Sequence, residues 1–153
     1  MKRPVYKNLF KPLKIDGLRL KNRITMAPLY LGYAAMGGKI SPLLLHYYKE
    51  MAKSGAAMIM VENSSVTPNG SESPRTIRCD HNRYLSGLEK LAHTIKGEKS
   101  LAGLQINHAG RFAHASDPVA PSAVPTFERI PRVLTKRQIT TIQKQFAKCC
   151  LKS

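Results

Sequence analysis

Small or polar residues that could contact a ligand stand at the end of each of three short apolar runs. They are Ala27 and Pro28 after the first run, Glu62 and Asn63 after the second, and Gln105 near the end of the third. Proline cannot donate the next ladder hydrogen bond, so Pro28 ends its strand abruptly. Small Ala27 leaves the backbone open to a flat molecule, and a polar Gln105 in an apolar strand needs a hydrogen-bond partner.

Helices are expected between and after these runs, because start and stop signals flank stretches of helical apolar spacing. These signals are Ser41-Pro42 and Gly55 for the first helix, Asp80 or Asn82 and Gly97 for the second, and the cap Thr135 for the third. The runs themselves, Ile24–Ala27, Ala56–Val61 and Leu101–Ile106, have the length and continuous apolarity of buried strands.

Asp16-Gly17 lies between alternating apolar positions in Phe10–Leu20, which predicts a β-hairpin at the start of the chain. After it, strand and helix alternate three times, and this order predicts a parallel sheet joined by right-handed crossovers. An open doubly wound sheet and a barrel both fit that order. No G-x-G-x-x-G follows the first strand and no phosphate-binding lysine loop occurs, which favours the barrel. Barrels place their ligands at the carboxyl ends of their strands.

Composition indicates one domain without a membrane span. Hydrophobic residues make up 42% of the 153 residues, and no apolar run approaches the roughly 18 residues of a membrane helix. Met1–Leu9 lacks the apolar core of a signal peptide, so we expect a cytoplasmic protein. The three cysteines, Cys79, Cys149 and Cys150, have neither metal-ligand nor disulfide-framework spacing and are expected to be reduced thiols.

The charge balance is strongly basic, with 25 Lys+Arg against 9 Asp+Glu and a net charge of +16. Such an excess can mark nucleic-acid binding. The basic residues are scattered, however, and concentrate only towards the end of the chain. Nucleic acid is therefore the less favoured partner, and a small basic binding protein without enzymatic activity remains the alternative to an enzyme.

Five segments in order, LFKPLKIDGLRL, LKNRITMAPL, AMIMVENSSVTPNG, GLQINHAGR and PVAPSAVP, resemble the old yellow enzyme family of FMN-dependent NAD(P)H:flavin oxidoreductases and ene-reductases. The resemblance extends from about Leu9 to the end of the chain. It implies an α/β fold, the N-terminal part of a (β/α)8 TIM barrel opened by a β-hairpin. Residues 1–21 would form the N-terminal segment with the hairpin, and residues 22–153 the first three βα units.

In such enzymes FMN accepts hydride from NAD(P)H and passes it to an electron-poor acceptor. The residues that the resemblance places at the flavin are Ala27, Pro28, Leu29, Tyr30, Asn63 and Gln105. The backbone of the first three would lie against the flavin ring, and Gln105 would hydrogen-bond its pyrimidine ring. Two residues depart from the family: Tyr30 replaces the usual Thr or Cys at flavin O4, and Asn63 replaces a usually small residue on the pyrimidine side.

Other residues near the strand ends allow more than one interpretation. His108 is better explained as a loop anchor than as a catalytic group. Glu62 could be catalytic but is better explained as a supporting or loop-anchoring carboxylate. Arg111 could be a structural residue or contact a ligand. Tyr33 could contact substrate or pack within its loop. The remaining histidines have no spacing that indicates metal binding or acid–base catalysis; they are His46, His81, His93 and His114.

A complete barrel needs about 250 residues, so the resemblance covers an N-terminal portion. The family's substrate-binding pair, proton-donating tyrosine and phosphate loops belong to later strands, and no catalytic residue is expected here. We expect the chain to be inactive by itself. Its expected partners are a small-molecule substrate and either a second copy of the chain or a complementing C-terminal half.

Overall fold

In the computed structural model, residues 6–127 and 129–151 are described, so the ends of the expected units 1–21 and 22–153 lie outside the described residues. The strands are β1 (Leu13–Ile15), β2 (Leu18–Leu20), β3 (Thr25–Met26), β4 (Met58–Ser65), β5 (Ile77–Arg78), β6 (Leu101–Asn107), β7 (Val119–Ala120) and β8 (Arg132–Val133), and the α-helices are α1 (Pro42–Ala52), α2 (Leu85–Gly97) and α3 (Lys136–Cys150).

The predicted hairpin is confirmed. Strands β1 and β2 pair antiparallel, with Ile15 opposite Leu18 across a two-residue turn. Both turn residues have positive φ, 41° at Asp16 and 85° at Gly17. This backbone matches the twist of the two strands and suits an Asp-Gly pair.

The main sheet is parallel, and its three principal strands, β3, β4 and β6, lie side by side in the order in which they occur along the chain. Strand β4 is central, with β3 on one side and β6 on the other, and the short β5 pairs with the end of β4. Right-handed crossovers between strands taken in order place their helices on one face of the sheet. The other face carries no helix among the described residues.

The core lies between the sheet and the first two helices. It combines Leu44 and Tyr48 of α1 with Ile59 of β4 and Leu91 and Ile95 of α2, all nearly or fully buried. The predicted start of α1 is confirmed: the Ser41 side chain accepts a hydrogen bond from the Leu44 amide at 3.0 Å, and Pro42 follows it.

The later helices begin differently from each other. Helix α3 begins as predicted, at a capping box formed by Thr135 and Gln138. The expected cap of α2 by Asp80 or Asn82 is wrong. His81 accepts from the Arg83 amide at 3.1 Å and starts a short 3₁₀ turn before α2, while Asp80 pairs with Arg78. Among residues 6–127 and 129–151, no helix has both the length and the apolarity to cross a membrane.

The predicted end of the second strand is also wrong. Strand β4 continues past Val61 through four further buried residues to Ser65. Polar residues extend the strand because loop backbone and β6 supply partners for them. The proline-rich stretch 118–131 contains β7, which pairs parallel with β8.

Asn22 joins the starts of β3 and β4, and it provides a first test of the fold. Its side chain accepts from the amides of Ile24 and Ala57 at 3.0 and 3.1 Å and donates to the Gly55 carbonyl at 2.8 Å. Replacing Asn22 by alanine removes three side-chain-to-backbone hydrogen bonds, although the Ala57 amide keeps its bond to the Ile24 carbonyl at 2.9 Å, so we expect a loss of about 1–3 kcal/mol in urea unfolding. Asn22→Asp, which keeps the acceptor, should lose less; equal losses would contradict this account.

Candidate functional site

The site lies where β3, β4 and β6 end at the same edge of the sheet. Thr25 and Met26 are paired with Met58 and Ile59, so the segment following β3 runs beside the end of β4. On the other side, β4 and β6 are paired over most of their length. Since all three strands are parallel, the residues that follow Met26 meet those at the ends of β4 and β6.

A β-bulge shapes the centre of this edge. Val61 pairs with Leu104, but the next pair is Ser64 with Ile106. Glu62 and Asn63 together therefore stand opposite the single residue Gln105. A bulge of this kind re-aims side chains locally, and here it lies at the position of the predicted ligand contacts.

Residues 27–30, which we call the wall segment, form an apolar surface at the edge. Ala27 and Leu29 are exposed, Leu29 by 61%, and Pro28 is half-buried. The Tyr30 hydroxyl is hydrogen-bonded to the Ser73 hydroxyl. Tyr30 is therefore held by the loop after β4, whereas the wall beside it stays open.

Glu62 fastens the wall segment to β4. Its side chain is fully buried, and Oε2 accepts a hydrogen bond from the Leu31 amide at 2.6 Å. Oε1 is buried and has no hydrogen-bond partner in the described part of the chain. Burial raises the pKa of Glu62 to about 7, and the hydrogen bond from Leu31 opposes this rise. The geometry is that of the loop-anchoring carboxylate predicted as one alternative.

Tyr48 supports Glu62 from the core. The Glu62 amide donates to the Tyr48 hydroxyl at 2.7 Å. Burial raises the pKa of Tyr48, so the hydroxyl remains protonated. This contact connects the α1 core to the bulge.

Asn63 and Gln105 present two side-chain amides at the bulge. Asn63 is buried, and its Nδ2 donates to Glu72 Oε2 at 2.8 Å. The Asn63 Oδ1 atom is buried without a partner among residues 6–127 and 129–151. Gln105 is exposed, in contrast to the expected buried polar residue, because its neighbour Leu104 faces the helices and Gln105 faces the bare side of the sheet.

His108 and Arg111 lie in the turn after β6. His108 Nδ1 accepts from the Gly110 amide at 3.1 Å, and burial lowers the pKa of His108. A neutral ring that bonds its own turn is the arrangement of a loop anchor. Arg111 lies over the Phe112 ring at 4.8 Å.

The other candidates are not brought into the site. Tyr33 packs edge-on against Tyr47 at 5.8 Å between ring centroids. The remaining histidines are exposed; they are His46, His81, His93 and His114. No group of acidic, histidine and cysteine side chains suited to a metal occurs in residues 6–127 and 129–151. An apolar cavity of about 240 Å³ lies between α2, β6 and the end of α3, and no predicted site residue lines it.

Sequence reasoning missed Glu72 and Ser73, the residues that hold Asn63 and Tyr30. Both belong to the polar loop that follows β4. Their roles depend on how that loop returns over the strand ends: the Pro74 carbonyl accepts from the Gly37 amide at 2.9 Å. No local pattern in the sequence reports such a contact.

A flat ring with a polar edge fits these residues. The wall segment supplies an apolar surface, and the exposed Gln105 amide supplies hydrogen-bonding groups beside it. Asn63 Oδ1 is buried next to them and has no partner among the described residues. The fold and site thus define a parallel α/β protein with a candidate ligand site at the carboxyl ends of its strands.

The chain belongs to the NADH:flavin oxidoreductase / NADH oxidase family, whose model matches residues 8–153. It is 34% identical to a metal reductase of Desulforamulus reducens over 92% of this chain and 22% of that protein. It is 33% identical to an NADPH dehydrogenase of Bacillus cytotoxicus over 95% of this chain and 43% of that protein. The chain thus spans less than half the length of these relatives.

Solved structures share the fold. Morphinone reductase in complex with tetrahydroNAD superposes with a TM-score of 0.85 at 23% identity, over 95% of this chain and 46% of that one. The old yellow enzyme from Pichia sp. AKU4542 gives a TM-score of 0.87 at 21% identity, over 95% and 42%. The predicted family and fold class are confirmed: the described residues form the first part of a TIM barrel that is not closed here.

Proposed function

We propose that this chain forms the first flavin-contacting part of an FMN-dependent NAD(P)H:flavin oxidoreductase of the old yellow enzyme type. The observation that supports it best is the convergence of the wall segment, Asn63 and Gln105 at one edge of the sheet. FMN, when bound, would take hydride from NAD(P)H and give it to an electron-poor small-molecule acceptor.

The residues of this chain would bind and orient the ring. The wall segment would cover one stretch of its surface and exclude water there. Gln105 and Asn63 would hydrogen-bond its polar edge, and Glu62 would hold the wall segment in place through the Leu31 amide. Fixed donors and acceptors at the edge of a bound cofactor orient it and tune its electronics.

We assign neither the substrate-binding groups nor the phosphate-binding groups to residues 1–153. We propose that a complementing C-terminal half, or a second copy of the chain, supplies them, and that the chain is inactive without that partner. We also propose that the protein is located in the cytoplasm, as expected from the sequence.

Complementation tests the proposal. The chain is produced alone and together with the C-terminal part of the Bacillus cytotoxicus NADPH dehydrogenase, and FMN retained after desalting is measured by absorbance. We expect yellow protein only from the complemented sample. Gln105→Ala should weaken FMN binding about tenfold, the effect of losing a hydrogen bond of about 1.4 kcal/mol. Colourless complemented protein would contradict the proposal.

Charge on α3 supports the alternative of a basic binding protein. Lys136, Arg137, Lys144 and Lys148 are exposed on this helix, and the net charge is +16. Retention on nucleic acid that falls steeply with salt but persists at physiological ionic strength would favour this alternative. Retention lost at that ionic strength would reduce it to nonspecific charge attraction.

A further inference from the structure

Strand β6 has one paired edge and one open edge. Among the described residues, it pairs with β4 and with no other strand. The Leu101 amide donates to the Ala57 carbonyl at 2.8 Å, and the Asn107 carbonyl accepts from the Val66 amide at 3.0 Å. The backbone groups of the odd-numbered residues of β6 therefore face β4. Successive strand residues direct these groups to opposite sides, so the even-numbered residues direct theirs to the open edge; they are Ala102, Leu104 and Ile106.

The open edge lacks the features that prevent pairing with another chain. A row of unpaired N–H and C=O groups is a template for an additional strand, and native edge strands block it with lysine, proline or a bulge. Strand β6 reads LAGLQIN and contains neither a charged residue nor a proline. The bulge of this sheet adds its extra residue to β4, so the backbone of β6 itself stays regular.

An apolar surface lies beside the same edge. Ala102 and Leu104 are only half-buried, whereas Ile59 and Val61 on the helix-covered face of β4 are 0% and 3% exposed. Ala102 and Leu104 also line the apolar cavity of about 240 Å³ next to α2. An open backbone edge and an incompletely covered apolar surface thus coincide, and a strand placed against β6 would satisfy both.

We propose that two copies of the chain pair through this edge, with β6 antiparallel to β6 of the second copy about a two-fold axis at Leu104. In this register Leu104 lies opposite Leu104 of the second copy, and Ala102 lies opposite Ile106. These are the residues whose backbone groups face outwards, so each opposed pair exchanges both of its N–H···O=C bonds. A self-complementary contact of this kind closes as a dimer. It involves no cofactor and is independent of the proposed function.

The side chains of β6 suit this register. Directly opposed residues of antiparallel strands lie on the same face of a sheet and contact each other. On the helix-covered face, the opposed residues in both copies are the apolar Ala102, Leu104 and Ile106. The nearest lysine and arginine in sequence are Lys99 and Arg111, and both lie beyond the paired stretch. No like charges therefore oppose each other within the contact.

Sedimentation of the full chain tests the dimer. We expect a shift from 17.0 kDa to twice that mass as the concentration rises from about 5 to about 500 μM. Each copy carries a net charge of +16, and salt screens the repulsion between them. Dimerisation should therefore be about threefold stronger or more at about 0.3 M than at about 0.05 M salt. Retention on nucleic acid would change with salt in the opposite direction.

Ala102→Pro separates this contact from other modes of association. Proline is tolerated in an edge strand where its missing N–H faces away from the neighbouring strand, so β6 should still pair with β4. The variant removes one outward donor from each copy, and we expect self-association to weaken about tenfold or more. The matched control is Ala123→Pro in an exposed loop, which should leave self-association unchanged.

Amide exchange of the wild-type chain gives a readout that needs no variant. The Leu104 amide should gain protection as the concentration rises, whereas the Gly103 amide, which faces β4, should be protected throughout. Protection of Leu104 that does not follow the dimer fraction would overturn the contact even where Ala102→Pro failed to fold.

Other results assign the edge to a different occupant or leave it without one. A wild type that is monomeric throughout the concentration range, or an Ala102→Pro variant that dimerises as the wild type does, would overturn the proposal. Assemblies larger than a dimer would contradict the two-fold axis. A chain that associates only with the C-terminal part of the Bacillus cytotoxicus NADPH dehydrogenase would assign the edge to that partner and overturn self-pairing.

Discussion

Replacing Gly38 by alanine is expected to lower the free energy of unfolding by about 3–5 kcal/mol, as positive-φ strain adds to a backbone clash. Gly38 has φ +78°, and a Cβ there would lie 2.5 Å from the Thr76 carbonyl oxygen. That oxygen belongs to the backbone and cannot rotate away. The Arg78 Cγ, at 2.6 Å, also lies too close.

Gly37 is the matched control for this prediction. Its φ is +77°, but no non-neighbouring atom of the described residues lies within 4 Å of the position that a Cβ would occupy there. Gly37→Ala should therefore cost only the backbone strain, about 1–2 kcal/mol. Urea unfolding of the two variants separates strain from clash, and equal losses would show that the close approach to Thr76 is relieved without cost.

The Gly38 effect should extend to the site. The Gly38 carbonyl accepts from the Arg78 amide at 3.1 Å, and this contact fastens the chain that follows β3 to the end of the loop carrying Glu72 and Ser73. Displacing the loop would release Asn63 and Tyr30 from their partners. We expect Gly38→Ala to weaken FMN retention by the complemented chain more than Gly37→Ala does.

Ionisation of Glu62 is expected to destabilise the fold as pH rises. Its pKa is about 7 in the folded chain against an ordinary 4.5. The folded state therefore binds more protons than the unfolded state between these values, and stability falls with rising pH across that window. The rise in the Glu62 pKa corresponds to about 3 kcal/mol of stability, at about 1.4 kcal/mol for each pKa unit.

Glu62→Gln isolates this contribution because the amide has the same shape and does not titrate. The variant keeps an oxygen that can accept from the Leu31 amide. We expect its stability relative to the wild type to rise by about 3 kcal/mol from about pH 4 to about pH 8. Denaturant unfolding at several pH values measures the difference, with Glu89→Gln on the surface of α2 as the control.

Hydrogen exchange at a single amide tests whether Glu62 holds the wall segment in place. If Glu62 holds the wall segment, exchange of the Leu31 amide should be slow in the wild type and much faster in Glu62→Ala. Unchanged protection of the Leu31 amide in Glu62→Ala would show that other contacts hold the wall segment. A pH-independent stability difference for Glu62→Gln would show that the carboxyl is not desolvated.

Local chemistry accounts for the elements that the sequence predicted correctly. Asp16-Gly17 adopts the positive φ values of its turn, Ser41-Pro42 begins α1, and Thr135 begins α3. Each of these features depends on residues within a few positions along the chain. The parallel sheet also follows from the alternation of buried strands and helices.

The errors occur where several groups compete for one hydrogen-bond partner, at short range before α2 and between strands at the end of β4. Asp80 is a good capping residue, but Arg78 takes its carboxylate through two contacts, and His81 caps the turn instead. Likewise, β4 passes the predicted end at Val61 because β6 continues to pair with it up to Ser65. Neither partner choice is visible from local propensity.

The main strands, the helices and the family could be read from the residues alone, because turn chemistry, caps and apolar periodicity are local properties. The assembly of the site depends instead on the folded chain. The bulge that sets Glu62 and Asn63 opposite Gln105 depends on the pairing of β4 with β6. The contacts of Glu62 with the Leu31 amide and of Asn63 with Glu72 depend on loops that return to the strand ends in the folded chain. Hydrogen-bond partners remote in sequence are selected by packing, and packing is a property of the whole chain.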